Sequence, residues 1–256
     1  EYVADFIEAA GIMKDGFSLQ AGAGGTNLAF VLFLKEKMKA KGVKARFMRG
    51  GSTKYLVEML EEGLTDYILD GQTFDLEGVR SMRENAKHVN TSPFTSYNFH
   101  GKGNFASIVD TAVLGATEVD VKFNANVVTH SDGYLLHGIG GWQNCLYSKC
   151  TILAIPSFRD RIPVIVDDVT TICGPGELID VIVTERGIAI NPRRKDLLKA
   201  VKDSGLPIKD IKQIKKEVDE ICGGVPAKPK LNKDKVVAIV KWVDGTVLDS
   251  VFQVEK

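Results

Sequence analysis

The chain has 256 residues, and its 33 basic and 33 acidic side chains cancel to a formal charge of zero. That balance excludes the broad electrostatic footprint of a nucleic-acid binder or of a protein held on an anionic membrane, while leaving room for one local basic pocket. Hydrophobic residues make up 44%, ample for a core, but no apolar run is long enough to span a bilayer.

The opening Glu1-Tyr2-Val3-Ala4-Asp5 has no basic n-region, so no secretory signal is expected. Tyr2, Phe6 and Ala9 or Ala10 share one helical face, so the chain opens inside a helix and reads as part of something longer. Phe17 to Ala21 reads as a strand, Asn27 to about Met38 as a helix ended by Gly42, and Lys44 to Met48 as the next strand. Thr53 to Glu62 is a second amphipathic helix and Tyr67 to Asp70 a third strand. This β-α-β-α-β order predicts a parallel sheet covered by helices. Residues 84–106, rich in Asn, Ser, Thr, His and Gly, read as a long polar loop.

Strands return at 111–115, 151–155, 163–166 and 180–184, each β-branched and apolar enough to be buried on both faces. Helices are expected over 194–202 and 208–221, the latter stopped by Gly223-Gly224. Pro226 to Lys230 reads as a linker, and Asp244-Gly245 between two apolar runs predicts a hairpin over 236–254. The expected organisation is one α/β domain over 1–225, with residues 226–256 packed on it as a C-terminal hairpin. Cys145, Cys150, Cys173 and Cys222 lack C-x-x-C pairing and zinc spacing, and read as reduced thiols of a cytosolic protein. His88, His100, His130 and His137 also lack metal-ligand spacing, so no metal site is expected.

Three constellations could carry chemistry. Gly22, Gly24 and Gly25 lie between a strand and a helix, where they serve either as a tight turn or as an anion cradle. Arg49-Gly50-Gly51-Ser52-Thr53 repeats that arrangement more weakly. Glu118 follows a strand that reads as buried and precedes Asp120, Asn124 and Asn126. A carboxylate at the end of a central parallel strand faces the ligand crevice and can attack an acyl group; a solvated acidic turn reads the same way. In His137-Gly138-Ile139-Gly140-Gly141-Trp142-Gln143-Asn144, adjacent glycine amides suit the oxyanion of a thioester carbonyl, or form no more than a turn. Arg159 and Arg161 could bind a carboxylate or phosphate, and Glu185 and Arg186 read as solvated surface charges.

Taken in order, Gly115-Ala116-Thr117-Glu118-Val119-Asp120, Gly138-Ile139-Gly140-Gly141, Asp168-Val169-Thr170-Thr171, Gly174-Pro175-Gly176-Glu177 and Val183-Thr184-Glu185-Arg186-Gly187 through Arg194 resemble segments of citrate lyase alpha chains, as does the Asp244-Gly245-Thr246 tail. The Thr-Glu-Arg-Gly run is the most specific of these. The resemblance implies the open α/β/α sandwich of the coenzyme A transferases, with a mainly parallel sheet. It implies transfer of an acyl-carrier or coenzyme A thiol from acetate to citrate, the thioester being a substrate and no cofactor being held permanently. Glu118, Gly140 and Gly141 would be catalytic, and Gly22, Gly24, Gly25, Asn126 and Gly138 would bind substrate or coenzyme A. Related transferases form a glutamyl thioester, whereas citrate lyase alpha chains are assigned direct attack in a ternary complex. Glu118 is therefore expected as nucleophile, as an orienting group, or as a stabiliser of an anhydride. Family chains are about twice this length, so the resemblance also implies a missing first half, an oligomer, and beta and gamma (acyl-carrier) subunits as partners. Trp142 stands where the family usually has His, and Asn144 where it has Asp, which leaves the acceptor acid open. Another acid, a thioesterase, or a non-catalytic binding subunit of the same fold are the alternatives.

Overall fold

Short β-branched runs separated by amphipathic segments can bury their apolar faces only by stacking helices against a sheet. The computed structural model describes residues 1–22, 24–98, 100 and 104–255, with the side chains of 26–28 left aside. Its helices are α1 (Tyr2–Ala9), α2 (Gly25–Lys41), α3 (Lys54–Glu61), α4 (Leu76–Glu84), α5 (Pro93–Tyr97), α6 (Trp142–Cys145), α7 (Lys195–Ala200) and α8 (Ile211–Cys222). The strands are β1 (Phe17–Ala21), β2 (Ala45–Ser52), β3 (Ile68–Thr73), β4 (His88–Asn90), β5 (Thr111–Leu114), β6 (Glu118–Asp120), β7 (Ala125–Asn126), β8 (Cys150–Ala154), β9 (Phe158–Arg159), β10 (Ile162–Pro163), β11 (Ile165–Val166), β12 (Val181–Thr184), β13 (Gly187–Ile190), β14 (Leu231–Lys241) and β15 (Val247–Val254).

Eight of them form the main sheet in the order β13-β12-β8-β5-β1-β2-β3-β4. Every pairing is parallel except β12 with β13. The chain starts at β1, winds outward through β2 and β3 to β4, then returns to pair β5 on the other side of β1 and winds away through β8 and β12. The expected parallel α/β sandwich is thus borne out, and its topological switch lies between β1 and β5.

Strand alternation sorts residues onto two faces. Leu19, Met48, Ile68, Val113, Ile152 and Val181 face one core with α1, α2 and α3. Ala112, Leu114, Leu153, Ile182 and Ala189 face the other core, with α8, the 116–128 segment, and Val240 and Val251 of the hairpin. Trp142 and Leu146 join that second core. On this second face, β1 and β2 contribute Gln20 and Arg49, paired in register and both buried.

The polar stretch 84–106 is more ordered than its composition predicts: it ends α4 and contains β4, α5 and a 3-10 turn at Phe105–Ile108. Three-residue β4 and five-residue α5 are too short to show a period. Phe99 and residues 101–103 of that stretch lie outside the described residues. The 163–166 run splits into β10 and β11, and the 180–184 strand turns back through Glu185-Arg186 into β13. Glu185 is not merely solvated there, since Ser157 N and Oγ donate to its carboxylate. The hairpin starts at Leu231, earlier than expected, and is anchored by Trp242 Nε1 donating to Tyr147 OH and Ile172 N donating to Asp249 Oδ2. No described helix is long and apolar enough to cross a membrane.

The ends of β2 and β3 are tied by Asp70, whose carboxylate accepts from Ser52 N and Oγ, Gln72 N and Thr73 Oγ1, with His88 Nε2 at 3.4 Å. Burial alone would raise its pKa; the bonds from His88, Ser52, Thr73 and Gln72 outweigh that and lower it from 3.8 to about 2. A depressed carboxylate stabilises the fold above its unfolded pKa, and that stability is lost as pH falls through the folded value. Asp70→Asn should therefore cost about 2 kcal/mol near neutrality, with the gap to wild type narrowing between pH 4 and 2. Urea denaturation at pH 7 and pH 3 reads both; a gap that does not change with pH would contradict this account of Asp70.

Candidate functional site

In open α/β sheets, ligands sit outside the carboxyl ends of the strands where the winding direction reverses. At that place here is a cleft of about 790 Å³. Its walls come from the ends of β1 (Gln20 to Gly22, with Gly24), β2 (Gly50, Gly51), β3 (Gly71, Gln72) and β5 (Leu114 to Thr117), from Tyr97 of α5, and from His137 through Trp142 and Cys145. Gly22 N donates to Val113 O, fastening the β1 exit to β5. Gly24 caps α2 in an extended conformation with no side-chain cap, so the first amides of a 17-residue helix stand at the rim.

Glycine is a steric requirement at Gly50 and lets the Tyr97 ring lie close at Gly141. Gly50 has φ +116, and a Cβ there would sit 2.3 Å from Ala21 O. A Cβ on Gly141 would meet the Tyr97 ring at 2.6 Å. The 138–141 segment is held from three sides. Trp142 Nε1 donates to Gly115 O (2.9 Å), Asn144 Nδ2 donates to Tyr97 O (2.7 Å), and Gln143 Nε2 donates to Cys173 O (2.8 Å). Trp142 and Asn144 thus pin the glycine loop to the β5 exit and to α5. Among the described residues, the amides of Gly140 and Gly141 donate to no protein acceptor.

Gly22, Gly24, Gly138, Gly140 and Gly141 therefore meet in one cleft. Gly25 is the first residue of α2, exposed and outside the lining. Glu118 does not face the cleft either. The chain leaves the main sheet after Leu114, turns through Gly115-Ala116-Thr117, and enters β6 in a separate three-stranded sheet with β7 and β11. Ala116 and Thr117 line the cleft, but the Glu118 carboxylate points into a cavity of about 50 Å³ on the far side, beside Thr170 and Lys215. It is 2% exposed, and its oxygens accept from Asn126 Nδ2 (3.0 Å), Thr170 N (2.8 Å) and Thr170 Oγ1 (3.2 Å). Asn126 is also buried away from the cleft, its amide spent on Glu118, Val128 and Thr129. Arg159 donates to Ala116 O and Thr117 O and so braces the wall.

None of the described residues lining the cleft is an Asp, Glu, Lys or Arg. Cys145 is the thiol among them, but burial raises its pKa to about 11 and its Sγ donates to Gly141 O. Sequence reasoning missed Gln20, Gln72, Tyr97 and Cys145. Gln20 left one signal, a polar residue in the middle of a strand otherwise buried on both faces. Among the described residues no group of His, Cys, Asp and Glu is arranged to hold a metal ion.

A doubly wound sheet with glycine loops closing its switch-point cleft, and a C-terminal hairpin on its flank, is a coenzyme A transferase-like fold. Residues 1–254 match the family described as citrate lyase, alpha subunit (CitF), and the chain belongs to that family. It is 40% identical over 255 residues to the citrate lyase alpha chain of Haemophilus influenzae, covering 98% of this chain and 50% of that one. The Escherichia coli alpha chain is 37% identical over 254 residues, covering 99% and 49%. The alpha subunit of citrate lyase from Streptococcus mutans, solved in complex with citrate, superposes with a TM-score of 0.96 at 40% identity, over 100% of this chain and 50% of that one. The chain spans about half the length of the curated relatives it matches.

The Gly50 geometry makes a direct prediction. Gly50→Ala combines a left-handed φ with a backbone clash, and should destabilise by roughly 2–4 kcal/mol while narrowing the cleft. Thermal and urea unfolding check the stability, and a Tm within a degree of wild type would show that β1 and β2 do not meet this closely.

Proposed function

We propose that this chain carries the acyl-exchange site of a citrate lyase alpha subunit, where an acyl-carrier or coenzyme A thiol passes from acetate to a di- or tricarboxylic acid. The observation that carries this is the chemistry of the cleft: free glycine amides and the uncapped start of α2 at the rim, with no carboxylate among the described lining residues. The nucleophile is then the acid substrate itself. One of its carboxylates attacks the acetyl thioester carbonyl, the C–S bond breaks, and the thiolate leaves from an acetyl–acid anhydride. The thiolate attacks the acid's carbonyl in that anhydride, the acid becomes the new thioester, and acetate departs. Both steps pass through an oxyanion, which the amides of Gly140 and Gly141 are free to receive. Gly22, Gly24 and Gly138 let the backbone approach the substrate closely. Citrate as the acid is supported by the citrate-bound Streptococcus mutans relative at 40% identity.

Glu118 and Asn126 act in this scheme as positioning residues. Their hydrogen bonds hold β6 to β7 and to Thr170, and so fix the Ala116–Thr117 wall. Gly25 starts α2 without touching substrate. The other half of an alpha chain, a carrier subunit bearing the thioester and a lyase subunit consuming the product complete the reaction, in the cytoplasm and as an oligomer. The hairpin of residues 226–256 belongs to the same domain as residues 1–225.

Exchange between acetyl coenzyme A and labelled citrate tests the scheme, with the chain alone and supplemented by the other half of a relative's alpha chain. Glu118→Gln should lose about 1–3 kcal/mol of stability through its buried partners and keep exchange within roughly tenfold of wild type. A folded Glu118→Gln variant slowed by roughly 10⁴-fold or more would instead make Glu118 the covalent nucleophile. Thioester binding with no exchange under either condition would leave a binding subunit.

A further inference from the structure

Other than Arg49, buried charged side chains in this fold have an ion-pair or hydrogen-bond partner on their charged atoms. Lys35 meets Glu58 and Glu62, Lys215 meets Asp167 and Asp219, and Asp180 meets Arg194. Arg49 is 0% exposed, and Nε, Nη1 and Nη2 all lack a hydrogen-bond partner. A buried guanidinium without a countercharge is strongly unfavourable, and an anion arriving from outside would relieve it.

The strand register says where that partner can come from. Arg49 lies opposite Gln20 of β1 and Leu69 of β3, whereas Gly50 lies opposite Asp70. Asp70 therefore projects to the other face of the sheet, where its oxygens are taken by Ser52, Gln72 and Thr73. On its own face Arg49 has the buried Gln20, whose Oε1 is also unpartnered, and the Tyr97 ring, whose centroid is 4.9 Å from the guanidinium carbon. Gln20, Gly50, Tyr97 and Cys145 all line the cleft. Arg49 is thus directly beneath the cleft floor, with the Tyr97 ring as its cover. The cleft above it shows no Lys or Arg among its described lining residues, and Arg159 is already committed to Ala116 O and Thr117 O.

The planar fork of a guanidinium matches a carboxylate in bidentate fashion, and a polycarboxylate entering an uncharged cleft needs a counter-charge. We propose that Arg49 is the receptor for a carboxylate of the acceptor acid, reached when the Tyr97 ring swings off the guanidinium. This rests on the cleft being the acceptor-acid site. Asn144 holds Tyr97 through its backbone O, so a rotation of the side chain leaves that bond intact.

Citrate binding by calorimetry, with melting curves in the absence of citrate, tests it in wild type, Arg49→Met, Arg49→Lys and Tyr97→Ala. Arg49→Met should melt at or above the wild-type temperature, because it removes an unpaired buried charge, and should weaken citrate binding by about a hundredfold. Arg49→Lys keeps the charge but not the fork and should weaken binding by about tenfold. Tyr97→Ala uncovers Arg49 and should bind at least as tightly as wild type. Unchanged citrate affinity in Arg49→Met, or in Arg49→Lys should the Met variant not fold, overturns the proposal while leaving the cleft as the acid site. A lower melting temperature with retained affinity makes Arg49 a structural residue and also overturns it. No citrate binding by wild type overturns the acceptor-acid reading together with it.

Discussion

The pairing of β1 with β2 on one side and β5 on the other governs this molecule. Because both neighbours run parallel to β1 and the chain winds away from it in opposite senses, the connections after β1 and β5 must diverge. A crevice is left above their carboxyl ends, and much of its wall is glycine main chain. That explains why the exits are glycine: at Gly50 a methyl group would strike Ala21 O, and at Gly141 it would strike the Tyr97 ring. The cleft is a consequence of the winding, kept open by residues that add nothing to it.

The same constraint divides the buried layer. Across β5, β8 and β12 the second face carries Ala112, Leu114, Leu153 and Ile182, a conventional apolar core. Across β1 and β2 it carries Gln20 and Arg49. The core becomes polar under the cleft, where unpaired groups are useful, and stays apolar where α8 and the hairpin cover it. Asp70 on the opposite face binds the ends of β2 and β3, so that the exits are fixed.

Much of this was legible from the sequence. Each long apolar strand from Phe17 to Thr184 was placed to within a few residues, because burial on both faces leaves an unbroken β-branched run. The glycine segments at 22–25 and 138–141 stood out, because clustered glycines can be read without any period. Glu118 was misread in orientation. Its position after Thr111–Leu114 was correct, but three residues, Gly115-Ala116-Thr117, carry the chain off the main sheet, and in a new strand alternation turns Thr117 to the cleft and Glu118 away from it. A sequence does not show where such a register begins. Tyr97 was hidden for a different reason: five-residue α5 has no period to read, and its ring matters through Arg49 and Gly141, remote in sequence.

Direct sight of the acid distinguishes the switch-point cleft from the Glu118 cavity. A crystal structure of the chain with citrate should show the ligand between the β1 and β2 exits and the Gly138–Gly141 loop, with one carboxylate on Arg49 and the Tyr97 ring displaced. Citrate seated against Glu118 and Thr170, with the switch-point cleft empty, would contradict the account.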